Sequence, residues 1–150
     1  MKKYFKVISI ICIIFLLTAC NSEKTVLTEK QLMDKLSEFS FIVSDNKKFI
    51  EDDSMKAIYT ANNGKYQIEY YVFKDEKRAK EAYESNKQYF QNSSKKEKGK
   101  EKIGDTYSKY TQELSDTYNV LTRVDNTLLY ASINIGYKKE LKKILKELNY

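Results

Sequence analysis

Hydrophobic positions along the chain switch between three spacings, and each switch marks an element. Residues 7–17 are apolar almost without a break, interrupted only by Ser9. From residue 28 the spacing becomes helical, with Leu32, Leu36 and Phe39 on one face and Met33 beside them. Thr28 is placed to cap this helix, and Gln31, three residues on, to complete a capping box. Leu27 and Leu32 are placed for a hydrophobic staple. The helix is expected to end near Ser40, and Phe41-Ile42-Val43 then reads as a short strand or extended link.

Two later segments share one pattern. Residues 55–61 alternate, Asn62-Asn63-Gly64 turns, and residues 66–73 run back as a strand rich in β-branched and aromatic side chains. Asp75 caps a helix whose apolar face is Ala79, Ala82, Tyr83 and Phe90. In the second segment residues 118–124 alternate, Asp125-Asn126 turns, and residues 128–135 run back. Gly136 breaks the strand, and a helix follows with Tyr137, Leu141, Ile144, Leu145 and Leu148 on one side. Each unit is a hairpin followed by a helix, offset by about 62 residues, a repeated topology with little sequence identity.

Between the units, residues 93–104 are highly charged and lack apolar periodicity, which reads as a solvated loop or frayed helix end. Residues 106–114 can add a further strand. The expected fold is α+β: an antiparallel sheet of five or six strands with helices packed on one face, and nothing left to bury a second layer.

The apolar block at the start belongs to a different object. Lys2, Lys3 and Lys6 precede it and small residues follow it, the layout of a secretory signal peptide. The block is short for a membrane span, which needs about 20 apolar residues. Its ending, Leu17-Thr18-Ala19-Cys20, resembles the lipobox of bacterial lipoproteins. That resemblance implies cleavage between Ala19 and Cys20 and a diacylglyceryl group on the Cys20 sulfur. It places the protein, lipid-anchored, on the extracytoplasmic face of a cell membrane, with a weak hint of a Gram-positive source in the lysine-, asparagine- and tyrosine-rich composition. The expected organisation is therefore a signal peptide over 1–19, a lipidated cysteine and short tether over 20–27, and one α+β domain over 28–150.

Composition then narrows the chemistry. The chain is +6 overall, and the leader holds three lysines and no acids, so the mature side chains sum to about +3. That weak, mixed charge does not call for a nucleic-acid partner. Histidine is absent, and the leader cysteine Cys12 leaves with the leader, so the mature chain has one cysteine, committed to lipid. A disulfide, a cysteine nucleophile and an imidazole base are thereby excluded, and zinc, copper and haem sites lose their usual ligands. The expectation is a protein without catalytic residues, metal or other cofactor.

Three clusters remain to be weighed. Glu51-Asp52-Asp53 is densely acidic but lacks the ligand spacing and glycine of an EF-hand loop, so it reads better as a turn. Lysines between 95 and 102, and Lys138, Lys139, Lys142, Lys143 and Lys146 on the last helix, form basic patches interrupted by glutamates. Such patches can rest on anionic headgroups or wall polymers, or can simply be solvated. Strand alternation puts Gln67, Glu69, Tyr71, Tyr130, Ser132 and Asn134 on one mixed aromatic and polar face. With helices on the other side, this would be an open binding face, and truncating Tyr71 or Tyr130 would cost only cross-strand pairing. The leading functional expectation is a non-enzymatic module binding a peptide, protein or envelope component. The alternatives are an immunity-type lipoprotein sequestering a secreted peptide, and a wall hydrolase using Glu69 with Glu51 or Asp53.

Overall fold

The computed structural model describes residues 24–49, 53–93 and 99–150. Cys20, Glu51, Asp52 and the first lysines of the charged linker lie outside the described residues. In chain order the elements are α1 (Glu29–Glu38), β1 (Ile42–Asp45), β2 (Met55–Asn62), β3 (Gln67–Phe73) and α2 (Glu76–Ser93). They continue with β4 (Lys100–Ile103), β5 (Tyr107–Glu113), β6 (Thr117–Val124), β7 (Thr127–Asn134) and α3 (Lys138–Glu147).

Local chemistry accounts for most of the boundaries. Thr28 and Gln31 form the capping box at the start of α1, the Thr28 amide donating to Gln31 Oε1 at 2.9 Å. The Arg78 amide donates to Asp75 Oδ1 at 2.9 Å and opens α2. In the first hairpin Gly64 takes a left-handed φ of 80°, and its amide donates to Asn62 Oδ1 at 2.7 Å. In the second, Asp125 adopts φ 47°, a region that Asp and Asn tolerate better than most residues.

The strands form one antiparallel sheet in the order β1-β2-β3-β7-β6-β5-β4. The two hairpins meet along β3 and β7, where Glu69 pairs with Tyr130, Tyr70 with Leu129 and Tyr71 with Leu128. Seven strands replace the expected five or six. The extra one is β4, inside the segment expected to be loop, and its four residues are all exposed. Exposure on both sides explains why no alternation betrayed it.

Helices cover both faces of the sheet, which overturns the expected two-layer arrangement. On one face α1 and α3 bury Leu32, Leu36, Leu141, Ile144, Leu145 and Leu148 against Ile68, Tyr70, Val120, Leu129, Ala131 and Ile133. On the other, α2 buries Ala79, Tyr83 and Phe90 against Phe73, Tyr110, Leu121 and Leu128. The hairpin-helix units repeat in order, but their helices depart to opposite faces. Strand β6 lies between, with seven of its eight residues buried, because Tyr118, Val120 and Val124 serve one core while Leu121 serves the other.

Candidate binding groove

Of the six residues expected on one face, Glu69, Tyr71 and Tyr130 come together along one groove. From the register, Glu69 and Tyr71 on β3 lie beside Tyr130 and Leu128 on β7, all toward α2. This face is not open throughout, because α2 crosses it. Tyr130 stacks on Phe90 of α2, with centroids 5.5 Å apart and rings inclined by 12°. Phe90 in turn stacks on Tyr110 at 6.3 Å. Both Tyr71 and Tyr130 are half-buried and pack against the smaller core. The expectation that they stand free of core packing is therefore corrected.

Between α2 and the strands runs a groove of about 540 Å³. Its floor is Glu69, Tyr71, Phe73, Leu128 and Tyr130, and its walls are Met55 with Ala82, Asn86 and Tyr89 of α2. The floor is largely aromatic, and Glu69 is the carboxylate among the lining residues. Glu69 is held at both oxygens: Gln67 Nε2 donates to Oε1 at 3.0 Å, and the Tyr71 hydroxyl donates to Oε2. Burial pushes the Tyr71 hydroxyl far above its ordinary range, and the Glu69 carboxylate it bonds adds to the shift. Burial, then the Glu69 charge, also raises Tyr130. Both hydroxyls stay protonated at any physiological pH.

The remaining sequence candidates have other roles. Ser132 donates to Asn119 Oδ1 at 2.7 Å, Asn119 Nδ2 donates to Gln112 Oε1 at 3.2 Å, and Gln112 Nε2 donates to the Phe90 carbonyl at 3.3 Å. That chain of amides crosses β7, β6 and β5 and fastens the end of α2. Asn134 accepts from the Gly136 amide at 2.9 Å and organises the turn into α3. Gln67 acts at the groove through Glu69.

Sequence reasoning missed Ser54, Met55, Ala82, Asn86 and Tyr89, while Phe73 and Leu128 share the strand face by alternation without standing among the candidates. One signal was available: the Tyr89-Phe90 doublet on α2 puts an aromatic outside the helix's own apolar stripe, and Tyr89 is 69% exposed. The acidic cluster does not join the groove. Its described member, Asp53, is fully exposed and pairs with Lys74 at 3.5 Å. Among the described residues no group of three or more His, Cys, Asp or Glu side chains could hold a metal ion.

No protein-family model matches the chain, and no curated protein matches it. Among solved structures, a GTP binding regulator from Thermotoga maritima is similar in outline. The identity is 11% and the TM-score 0.46, with 82% of this chain and 88% of that one covered. A likeness at that level says nothing about what this chain binds.

Proposed function

We propose that this protein is a lipid-anchored extracytoplasmic lipoprotein whose groove between α2 and the sheet binds a short peptide segment without chemically changing it. The anchor half of the reading is supported by residues 1–20, where a basic start, an apolar block and Leu17-Thr18-Ala19-Cys20 stand in lipobox order. The single observation that carries the binding half is the aromatic floor with Glu69 held on it by Gln67 and Tyr71. Rigid aromatic rings give contact area at small entropic cost. An oriented carboxylate among them selects a lysine, an arginine or an amino terminus. The fitting ligand is thus a peptide presenting an apolar side chain next to a cation. Sequestering a secreted cationic peptide, as an immunity lipoprotein does, is one use of the same groove. The hydrolase reading needs a second carboxylate beside Glu69, and the described lining residues provide none.

The test is selection from a displayed peptide library on residues 20–150. Enriched peptides should pair an aromatic or aliphatic residue with Lys or Arg. Glu69→Gln should weaken them about 10- to 100-fold, the range for a lost charged hydrogen bond, and Ala82→Trp should block the groove sterically. Enrichment indifferent to both substitutions would reject the groove. The anchor is tested separately: Cys20→Ala should abolish palmitate labelling in cells, and retained labelling would reject the lipobox.

A further inference from the structure

The face of the sheet opposite the groove carries a lysine shelf. On β4 and β5, Lys102 pairs with Lys109 and Lys100 with Thr111, and Lys109 stands in one cross-strand row with Thr122, Leu129 and Tyr70. This is the α1/α3 face. The last helix flanks the shelf: Lys138 of α3 bonds Glu113 of β5 at 2.6 Å, and Lys142 follows one turn later. From the start of the described chain, Lys24 lies over the Tyr107 ring at 5.0 Å and donates to the Asn149 carbonyl at 3.0 Å. Lys109 Nζ lies 3.3 Å from the Tyr150 main-chain oxygen.

These cations are gathered against their mutual repulsion, offset in part by Glu113, whose carboxylate bonds Lys138 and also feels Lys142 and Lys100. The charges acting on Lys109 are those of Lys24, Lys102 and Lys142. Burial first, then that repulsion, lowers its ammonium to about 8. Burial lowers Lys24 as well. A surface that concentrates like charge in this way is complementary to an array of anions.

We propose that the shelf of Lys24, Lys100, Lys102 and Lys142, ranged around the half-buried Lys109, seats the domain on the anionic phosphate headgroups of its own membrane. The occupant follows from the lipoprotein reading, on which this inference rests. Lys24 stands four residues after Cys20, so covalent geometry holds it within about 14 Å of the lipidated residue at ~3.5 Å per residue. Residues 24–27 add no slack, because Asn149 Nδ2 donates to the Thr25 carbonyl at 3.3 Å and Val26 and Leu27 pack on the core. Seated this way, the sheet lies between membrane and α2, and the groove opens outward to solvent.

The experiment uses residues 20–150 with Cys20→Ser, so that no acyl chain contributes, and vesicles of phosphatidylcholine with or without phosphatidylglycerol. Partition is expected only onto phosphatidylglycerol vesicles, falling as salt rises. Lys102→Gln and Lys142→Gln should each weaken it about five-fold. Lys77→Gln and Lys80→Gln, exposed on α2, should leave it unchanged. Absence of partition, equal losses from the α2 variants, or full competition by free glycerol phosphate would overturn the shelf as a membrane seat. Unchanged Cys20 labelling in cells would show that such a failure belongs to the shelf and not to the anchor.

Discussion

At the scale of single residues, the two groove tyrosines differ in what they hold. Tyr130 lies in a stack with Phe90 and Tyr110, so removing its ring opens a gap under α2. Tyr130→Ala should cost about 1–3 kcal/mol, below the ~3–5 of a fully buried aromatic because the ring is only half-buried. Tyr71→Phe keeps the ring and removes the hydroxyl that bonds Glu69, which should cost about 0.5–1.5 kcal/mol. Leu145→Ala, fully inside the larger core, should cost about 2–5 kcal/mol. Urea unfolding of the three variants should rank Leu145→Ala highest and Tyr71→Phe lowest. A Tyr130→Ala midpoint equal to that of the unmodified protein would mean that the stack does not fasten α2.

At the scale of elements, the strand β4 depends on a space that only glycine leaves. A Cβ on Gly99 would lie 2.0 Å from the Tyr110 ring, and that ring is buried and stacked on Phe90. Gly99→Ala should therefore destabilise by about 1–3 kcal/mol through overpacking. It should also loosen β4, read as faster amide exchange at residues 100–103. Unchanged exchange there would show that the ring yields freely. The legibility of the elements follows the same physical lines. Both hairpins, the capping box of Thr28 and the stripes of α1 and α3 were readable, because turn chemistry and periodicity are local. Strand β4 was not, since its Lys-Glu-Lys-Ile run has no apolar alternation and is held by pairing with β5 and by Tyr83 and Lys87 of α2 bonding Glu101, contacts that periodicity does not encode. The departure of α2 to the far face was also hidden. Its trace was present in Val120 and Leu121, adjacent apolar residues that no one-sided strand requires. The groove was half readable for that reason: its strand residues share a face by alternation, while Ala82, Asn86 and Tyr89 arrive from a helix whose placement periodicity does not encode.

At the scale of the whole molecule, the charge arrangement sets how stability varies with pH. Lys109 holds its proton less tightly when folded, at about 8, than its ordinary value of 10.5. Between those values the unfolded chain binds more protons, so this group makes stability rise with pH. Burial raises Tyr59, Tyr66, Tyr83 and Tyr150 above their ordinary 10. Their contribution is fully present below about pH 10 and is lost above it. Urea midpoints should therefore climb from about pH 8 toward pH 10 and then fall. Lys109→Met should remove most of the climb and leave the fall. Parallel curves for the two proteins would mean that Lys109 is solvated in the native state.

The seam between β3 and β7 has a consequence for how the chain reaches this structure. Each hairpin closes through neighbours a few residues apart, but the seam joins Glu69 to Tyr130, about sixty positions later. Loop closure of that span is an entropic cost met before the contact stabilises anything. Tyr150 sits across the same seam, its hydroxyl donating to Tyr70 of β3 at 2.9 Å and sharing a hydrogen bond with Thr127 of β7. A chain delivered amino terminus first thus presents β3 as a bare edge until the second hairpin arrives. During that interval Ile68 and Tyr70 lack the cover that β7, α3 and Tyr150 later supply, and self-association competes with folding. The half-built sheet is the vulnerable species in the life of this protein.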